Sequence, residues 1–217
     1  MPKTRECDEE PRVEGTRRKK VNFKYEDVKK HFQDNLKDIK EKFSLADREK
    51  ATDLHSAEEI WRCQIVFLDS ALDFYIHEVA KLGITKIFNT EWEETQKYKK
   101  LKVSMEFALK LADSVGKADD LLGEIDGINQ RNCFMSFDNL QTVLHLVGLD
   151  ADKTKKDEIN ALYRRRNQIA HQSDRLPDNP EKQPITEEDV RRYLDLVEKF
   201  VEDINSRIEA KDSESEG

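Results

Sequence analysis

The sequence predicts an all-α protein, an up-and-down helical bundle of about five main helices. Three observations lead there. Charged residues make up 39% of the chain and hydrophobic ones 36%, with Glu, Lys, Leu and Ala prominent, a composition that favours long, solvent-laced helices. Breakers are scarce, 7 Gly and 5 Pro in 217 residues. The apolar residues recur at spacings of three and four, with no alternating strand pattern and no internal repeat. This length fits one domain with tails: a disordered charged tail at 1–20, a helical domain at 21–210 and a disordered acidic tail at 211–217.

The elements follow in order. Residues 1–20 mix both charges, end in Arg17-Arg18-Lys19-Lys20 and offer little to bury, so they read as a solvated tail. A first helix is expected over 24–43, where Tyr25, Val28, Phe32, Leu36, Ile39 and Phe43 form one stripe. A charged connector fills 44–55. The second helix, about 57–82, opens with a capping box, Ser56 and Glu59, and ends at Gly83. Its apolar residues, among them Trp61, Ile65, Phe67, Leu72, Phe74 and Val79, cover more than one face, so it should be central.

Short helical pieces with Phe88 and Trp92 are expected over 84–101. A helix over 103–115 turns Val103, Phe107, Ala108 and Leu111 inward and stops at Gly116. The stretch 117–135, with Gly123 and Gly127, reads as irregular. Ser136 caps a helix over 137–147 that carries Phe137, Leu140, Val143, Leu144 and Val147, and Gly148 closes it. Asp150 or Asp152 caps the next helix, which runs to about 173 and is anchored by Ile159, Leu162 and Ile169, with Tyr163 and Ala170 beside them. Pro177, Pro180 and Pro184 make the following loop non-helical. Thr186 and three acidic residues start the last helix, whose stripe is Val190, Tyr193, Leu194, Val197, Val201, Ile204 and Ile208.

Several function classes are disfavoured. No apolar run is long enough to span a bilayer, and the N-terminal residues lack a secretory signal's apolar region, so a cytoplasmic protein with no membrane partner is expected. Three widely spaced cysteines, Cys7, Cys63 and Cys133, suit a reducing compartment and give no metal-type pair. No cofactor fingerprint appears. The net charge of −8 argues against a globally basic nucleic-acid binder but leaves room for a local basic cleft.

The chemistry concentrates in the penultimate helix, in RNQIAH at 166–171. Asn167 and His171 are four apart and share a face. Arg166 and His171 are five apart, about 140° around an ideal helix. They converge only if the helix frays or a second subunit completes the site. Arginine offers a planar fork matched to phosphate, histidine moves protons near neutral pH, and asparagine orients either imidazole or substrate. Such a set suffices for cleavage of RNA without a metal, since RNA carries its own 2′-hydroxyl nucleophile. Arg164 and Arg165 add charge to steer a substrate. The same residues at a helix C-terminus also complement the dipole and bind the last carbonyls.

RNQIAH resembles the signature of the HEPN domains: Arg, then a polar residue, then His after four to six intervening positions. WRCQIVFLDSALDFYIHEVAK resembles the first long helix of the RiboL-PSP-type subgroup, and SFDNLQTVLHLVGLD its segment before the motif helix. The likeness covers roughly 55–208. It implies a helical bundle that dimerises about a two-fold axis, with the two motif helices facing across a cleft. It further implies a metal-independent endoribonuclease leaving 2′,3′-cyclic phosphate ends, of the kind found among toxins, defence effectors and RNA-processing enzymes. On that likeness Arg166 binds phosphate, His171 is the catalytic acid or base and Asn167 supports them. RNA, a second copy of the chain and an antitoxin or other neutralising protein are the implied partners. In a subgroup silenced by nucleotide addition, a Tyr lies two residues after the His; Ser173 stands there, so that control is not expected.

Other candidates are bland. His77-Glu78 begins a zinc-protease pattern, but Lys81 replaces the second ligand. His145 reads as a packed or partly exposed helix residue, His31 and His55 have no evident partner, and Cys63 reads as core. Trp61 and Trp92 read as core or interface. Two alternatives to the nuclease stay open: a module that binds RNA, nucleotide or protein without turnover, and a charge network that serves only a dimer interface.

Overall fold

The structure, a computed structural model, describes residues 21–112, 118–129, 136–176, 178 and 180–215. The expected tail at 1–20, the basic run within it, Gly116, Cys7 and Cys133 lie outside them. Seven α-helices follow in order: α1 (Tyr25–Lys50), α2 (Leu54–Phe88), α3 (Met105–Ala112), α4 (Ala118–Asn129), α5 (Phe137–Leu146), α6 (Lys156–Gln172) and α7 (Glu187–Ser215). Among the described residues there is no strand, only an isolated bridge between Arg175 and Lys182. The fold is an all-α helical bundle.

The central position expected for the second helix is realised. α2 packs against α1, α4, α5, α6 and α7, and Ile65, Leu68, Leu72, Ile76, Val79 and Leu82 are fully buried along it. The stripe read for α1 is buried from Val28 to Phe43, as is that of α7 from Val190 to Ile208 apart from the half-buried Tyr193. Ser136 caps α5 through the Asn139 amide, and Gly148 ends it at φ 73°. Thr186 and Asp189 cap each other at the start of α7. Asp152 caps a 3-10 turn, Lys153–Lys155, that leads directly into α6.

Several expectations need correction. The connector over 44–55 shrinks to 51–53, because α1 continues through the buried Ala46 to Lys50. Asp53, accepting from the His55 amide at 3.0 Å and from Ser56 Oγ at 2.6 Å, is the cap of α2 in place of Ser56. Gly83 does not end that helix. It lies inside, where a Cβ would sit 2.6 Å from Val147 Cγ1 and 2.9 Å from Trp92 Cζ3, so the glycine serves close approach. Trp92 and Trp61 are core.

Within 117–135, residues 118–129 form α4, held by buried Leu121 and Ile125 and by Asp126 against Lys81 at 2.8 Å; packing overrides its two glycines. Val103 is exposed, as are Met105 and Leu109 on α3. α7 runs five residues into the stretch read as an acidic tail, because Asp212 accepts from both Lys86 Nζ and Trp92 Nε1 at 2.7 Å.

Candidate functional site

The C-terminal half of α6 lies against the N-terminal half of α2. The helix buries Ile159, Leu162 and Tyr163 and half-buries Ile169, while Ala170, expected as an anchor, is exposed. The three arginines at 164–166 therefore fan around the helix into different surroundings. Arg164 is exposed and has no partner among the described residues. Arg165 turns towards the chain that follows the helix, and Arg166 towards α2.

Arg165 is held in a buried clasp. Asp174, 1% exposed, places Oδ1 2.7 Å from Arg165 Nη1, and its Oδ2 accepts from Arg165 Nη2 at 3.0 Å and from Arg62 Nε at 2.7 Å. Arg165 Nη2 also donates to the Pro184 carbonyl at 3.0 Å, and Arg62 Nη2 to the Gln183 carbonyl at 2.7 Å. Glu59 takes Arg62 Nη1 at 2.9 Å. The backbone reaches this arrangement through left-handed residues, Ser173 at φ 51° and Asp174 at φ 60°. The Asp174 amide donates back to the Gln168 carbonyl at 2.8 Å, closing the helix end.

Arg166 meets a different acid. Its Nε lies 2.9 Å from Asp69 Oδ2 on α2, and its Nη1 donates to Asn167 Oδ1 at 2.9 Å. Asp69 is 2% exposed and its Oδ1 has no hydrogen-bond partner among the described residues. Burial pushes the Asp69 carboxyl up to about 7; Arg166 opposes that shift and Asp73, one turn further along α2, adds to it. The Arg166 side chain remains about one-fifth exposed, so the fork is reachable from solvent.

His171 is exposed on the last turn of α6 and makes no side-chain hydrogen bond or ion pair among the described residues. The helix is regular through Gln172, so fraying does not bring His171 towards Arg166. Asn167 stands between them, bonded to the arginine and one turn below the histidine. Beside this helix end, Arg62, Cys63, Val66, Phe67, Ile169, Ser173 and Lys182 help to line a cleft of roughly 320 Å³. Cys63 is exposed in it and is not the core residue expected.

Three residues of this neighbourhood escaped the sequence reading: Arg62, Asp69 and Asp174. The first two are seven apart on one face of α2 and interrupt an otherwise apolar surface. A charged pair at that spacing inside the most apolar helix is the signal available. Three of the four remaining histidines sit beside a carboxylate: His31 with Glu78 at 2.7 Å, His77 with Asp73 at 3.6 Å and His145 with Asp150 at 2.6 Å. Among the described residues no three His, Cys, Asp or Glu side chains gather as a metal site would need, and no helix is long and apolar enough to cross a membrane.

A family model, RiboL-PSP-HEPN, matches residues 30–210 of the chain. No curated protein and no solved structure matches it.

Proposed function

The chain belongs to the RiboL-PSP-HEPN family, and from that premise we propose that it is a metal-independent endoribonuclease that works as a homodimer. The carrying observation is the Arg166 fork at the end of α6. It is braced on two sides by Asp69 and Asn167 and still open to solvent, with an exposed histidine one turn beyond. Arg166 binds a phosphate of RNA. His171 takes the proton of the ribose 2′-hydroxyl or returns one to the departing 5′-oxygen. The 2′-oxygen forms the new bond to phosphorus as the bond to the 5′-oxygen breaks, leaving a 2′,3′-cyclic phosphate. Asn167 orients the pair, and the exposed Arg164 draws in the polyanion. Arg165, committed to Asp174, sets the helix end in place.

Geometry supports the dimer reading. Arg166 and His171 diverge by about 140° on an unbroken helix, so one helix supplies half a site and a second copy the other half. Phe67 and Phe74, each 45% exposed, lie seven residues apart on one face of α2 next to this region. They form an apolar stripe suited to a second subunit. An effector role in defence or as a toxin, restrained by a neutralising protein in the cytoplasm, fits such an enzyme.

The test is cleavage of mixed RNA in EDTA by wild type beside His171→Ala and Arg166→Ala. Wild type is expected to produce cyclic-phosphate ends, and each variant to lose roughly 10²-fold or more in rate while staying folded. Equal cleavage by a pure variant rules out the mechanism. Binding without cleavage by wild type moves the chain to the non-catalytic reading.

A further inference from the structure

Asp69 is an anomaly of the central helix. It is the side chain of a charged residue buried to 2% in a helix that carries the core. A lone carboxylate in such a place loses more to desolvation than it recovers unless its partners are complete. They are not complete here. Oδ2 has Arg166 Nε at 2.9 Å, and Oδ1 has nothing among the described residues. The neighbouring Asp174, equally buried, is fully paired with Arg62 and Arg165, so the fold does build complete clasps where structure alone is at stake.

The geometry points to Asp69 as the positioning residue of Arg166. The carboxylate stands 2.9 Å from Nε as an ion pair without hydrogen-bond alignment, so that both Nε and Oδ1 are buried without a hydrogen bond, and Asn167 Oδ1 accepts from Nη1. One nitrogen is fixed by a hydrogen bond and the buried end of the guanidinium is held by the charge of Asp69, which together restrain the fork for an incoming phosphate. The role rests on the ribonuclease reading for its catalytic consequence, but the positioning itself is a property of the free protein.

Protonation of the carboxyl weakens the hold. The charged groups acting on Asp69 are Asp73 from its own helix and Arg166 from α6. The side-chain Nε–H of Arg166 therefore reports the state of Asp69 directly.

The experiment has two arms. In the first, ¹⁵N NMR follows the Arg166 Nε–H of the wild-type chain, assigned by its loss in Arg166→Ala. The proposal expects a protected, shifted resonance at pH 8 that moves towards the free-arginine position as pH falls through neutrality, and that is free-like at every pH in Asp69→Asn. A resonance already free-like in wild type at pH 8 overturns it, whether or not the protein cuts RNA and whether or not Asp69→Asn folds. In the second arm, single-turnover RNA cleavage in EDTA is compared for wild type, Asp69→Asn and Asp69→Glu. The expected result is a rate lowered roughly 10²-fold in Asp69→Asn with KM little changed, partly restored by Asp69→Glu. Wild-type rates in Asp69→Asn overturn the role. Absence of cleavage by wild type sinks the ribonuclease reading alone, and the first arm then decides this one.

Discussion

Arg165 and Arg166 are neighbours in sequence and opposites in setting. Arg165 closes a saturated clasp with Asp174 and Arg62, in which both carboxylate oxygens are occupied and two backbone carbonyls accept the spare N–H groups. Arg166 closes an open one, with a single oxygen of Asp69 engaged and part of the fork left to solvent. One residue step, about 100° around a helix, turns one guanidinium into the loop that follows α6 and the other onto α2. A saturated buried ion pair is what structure requires. An unsaturated one leaves buried polar atoms without partners, which a purely structural pair has no need to do.

The largest effect should come from opening the closed clasp. Asp174→Ala leaves the half-buried Arg165 without its acid and the buried Arg62 with only Glu58 and Glu59, and removes the tie between the end of α6 and α2. Losing one partner of a buried network costs on the order of 3–5 kcal/mol. Urea denaturation should show that loss as a lower midpoint, and Arg166→Ala should cost clearly less because its acid is already poised to take a proton. If the two variants lose equal stability, the two arginines are equivalent and the contrast fails.

The two clasps also differ in how much of each was readable in advance. The motif stood out because helix ends have strong sequence signals: a cap before α6, prolines after it, and polar residues packed into one turn. Their carboxylate partners did not stand out, because an aspartate within FLDSAL reads as one more solvent-facing position until α6 is laid upon it, and Asp174 lies in a loop whose path periodicity does not describe. The same limits governed the fold. Stripes named α1, α2, α5 and α7, since burial there follows the helical period. α4 escaped because Gly123 and Gly127 lower its intrinsic propensity, and only packing of Leu121 and Ile125 restores it. Gly83 misled in the opposite direction: its sequence meaning, a stop, is common, while its structural meaning, a close approach to Val147, depends on a helix more than sixty residues away.

A second effect separates the clasps by pH. The Asp69 carboxyl is raised to about 7 by burial, against an ordinary value near 4. A raised acid binds its proton more tightly in the folded state, so its contribution to stability is fully present below the unfolded value. It is lost as pH rises through about 7. A shift of about three pH units is worth on the order of 4 kcal/mol at most. Surface acids such as Asp150, held down chiefly by its hydrogen bond with His145, act with the opposite sign and mask this in wild type alone. The difference in unfolding free energy, wild type minus Asp69→Asn, isolates it. That difference should fall between pH 4 and pH 8. A flat difference curve means Asp69 titrates normally and its burial carries no charge strain.

The smallest effect tests whether the closed clasp is merely scaffold. Ser173 and Asp174 both sit in the left-handed region, at φ 51° and 60°, which costs a residue with a Cβ about 1 kcal/mol. Aspartate tolerates this better than serine, and Asp174 is tied in place by its side chain. Ser173 contributes only its backbone and a wall of the adjoining cleft. Ser173→Gly relieves the strain while adding freedom to the unfolded chain, for a net gain of roughly 0.5 kcal/mol at most, visible as a melting temperature higher by about one to two degrees. Nothing in that relief reaches Arg166, whose braces lie on α2 and at Asn167. The Arg166 Nε–H resonance should therefore stay where it is. If instead it moves, the loop end and the motif arginine are coupled through α6, and the two clasps form a single device with the helix as its shaft.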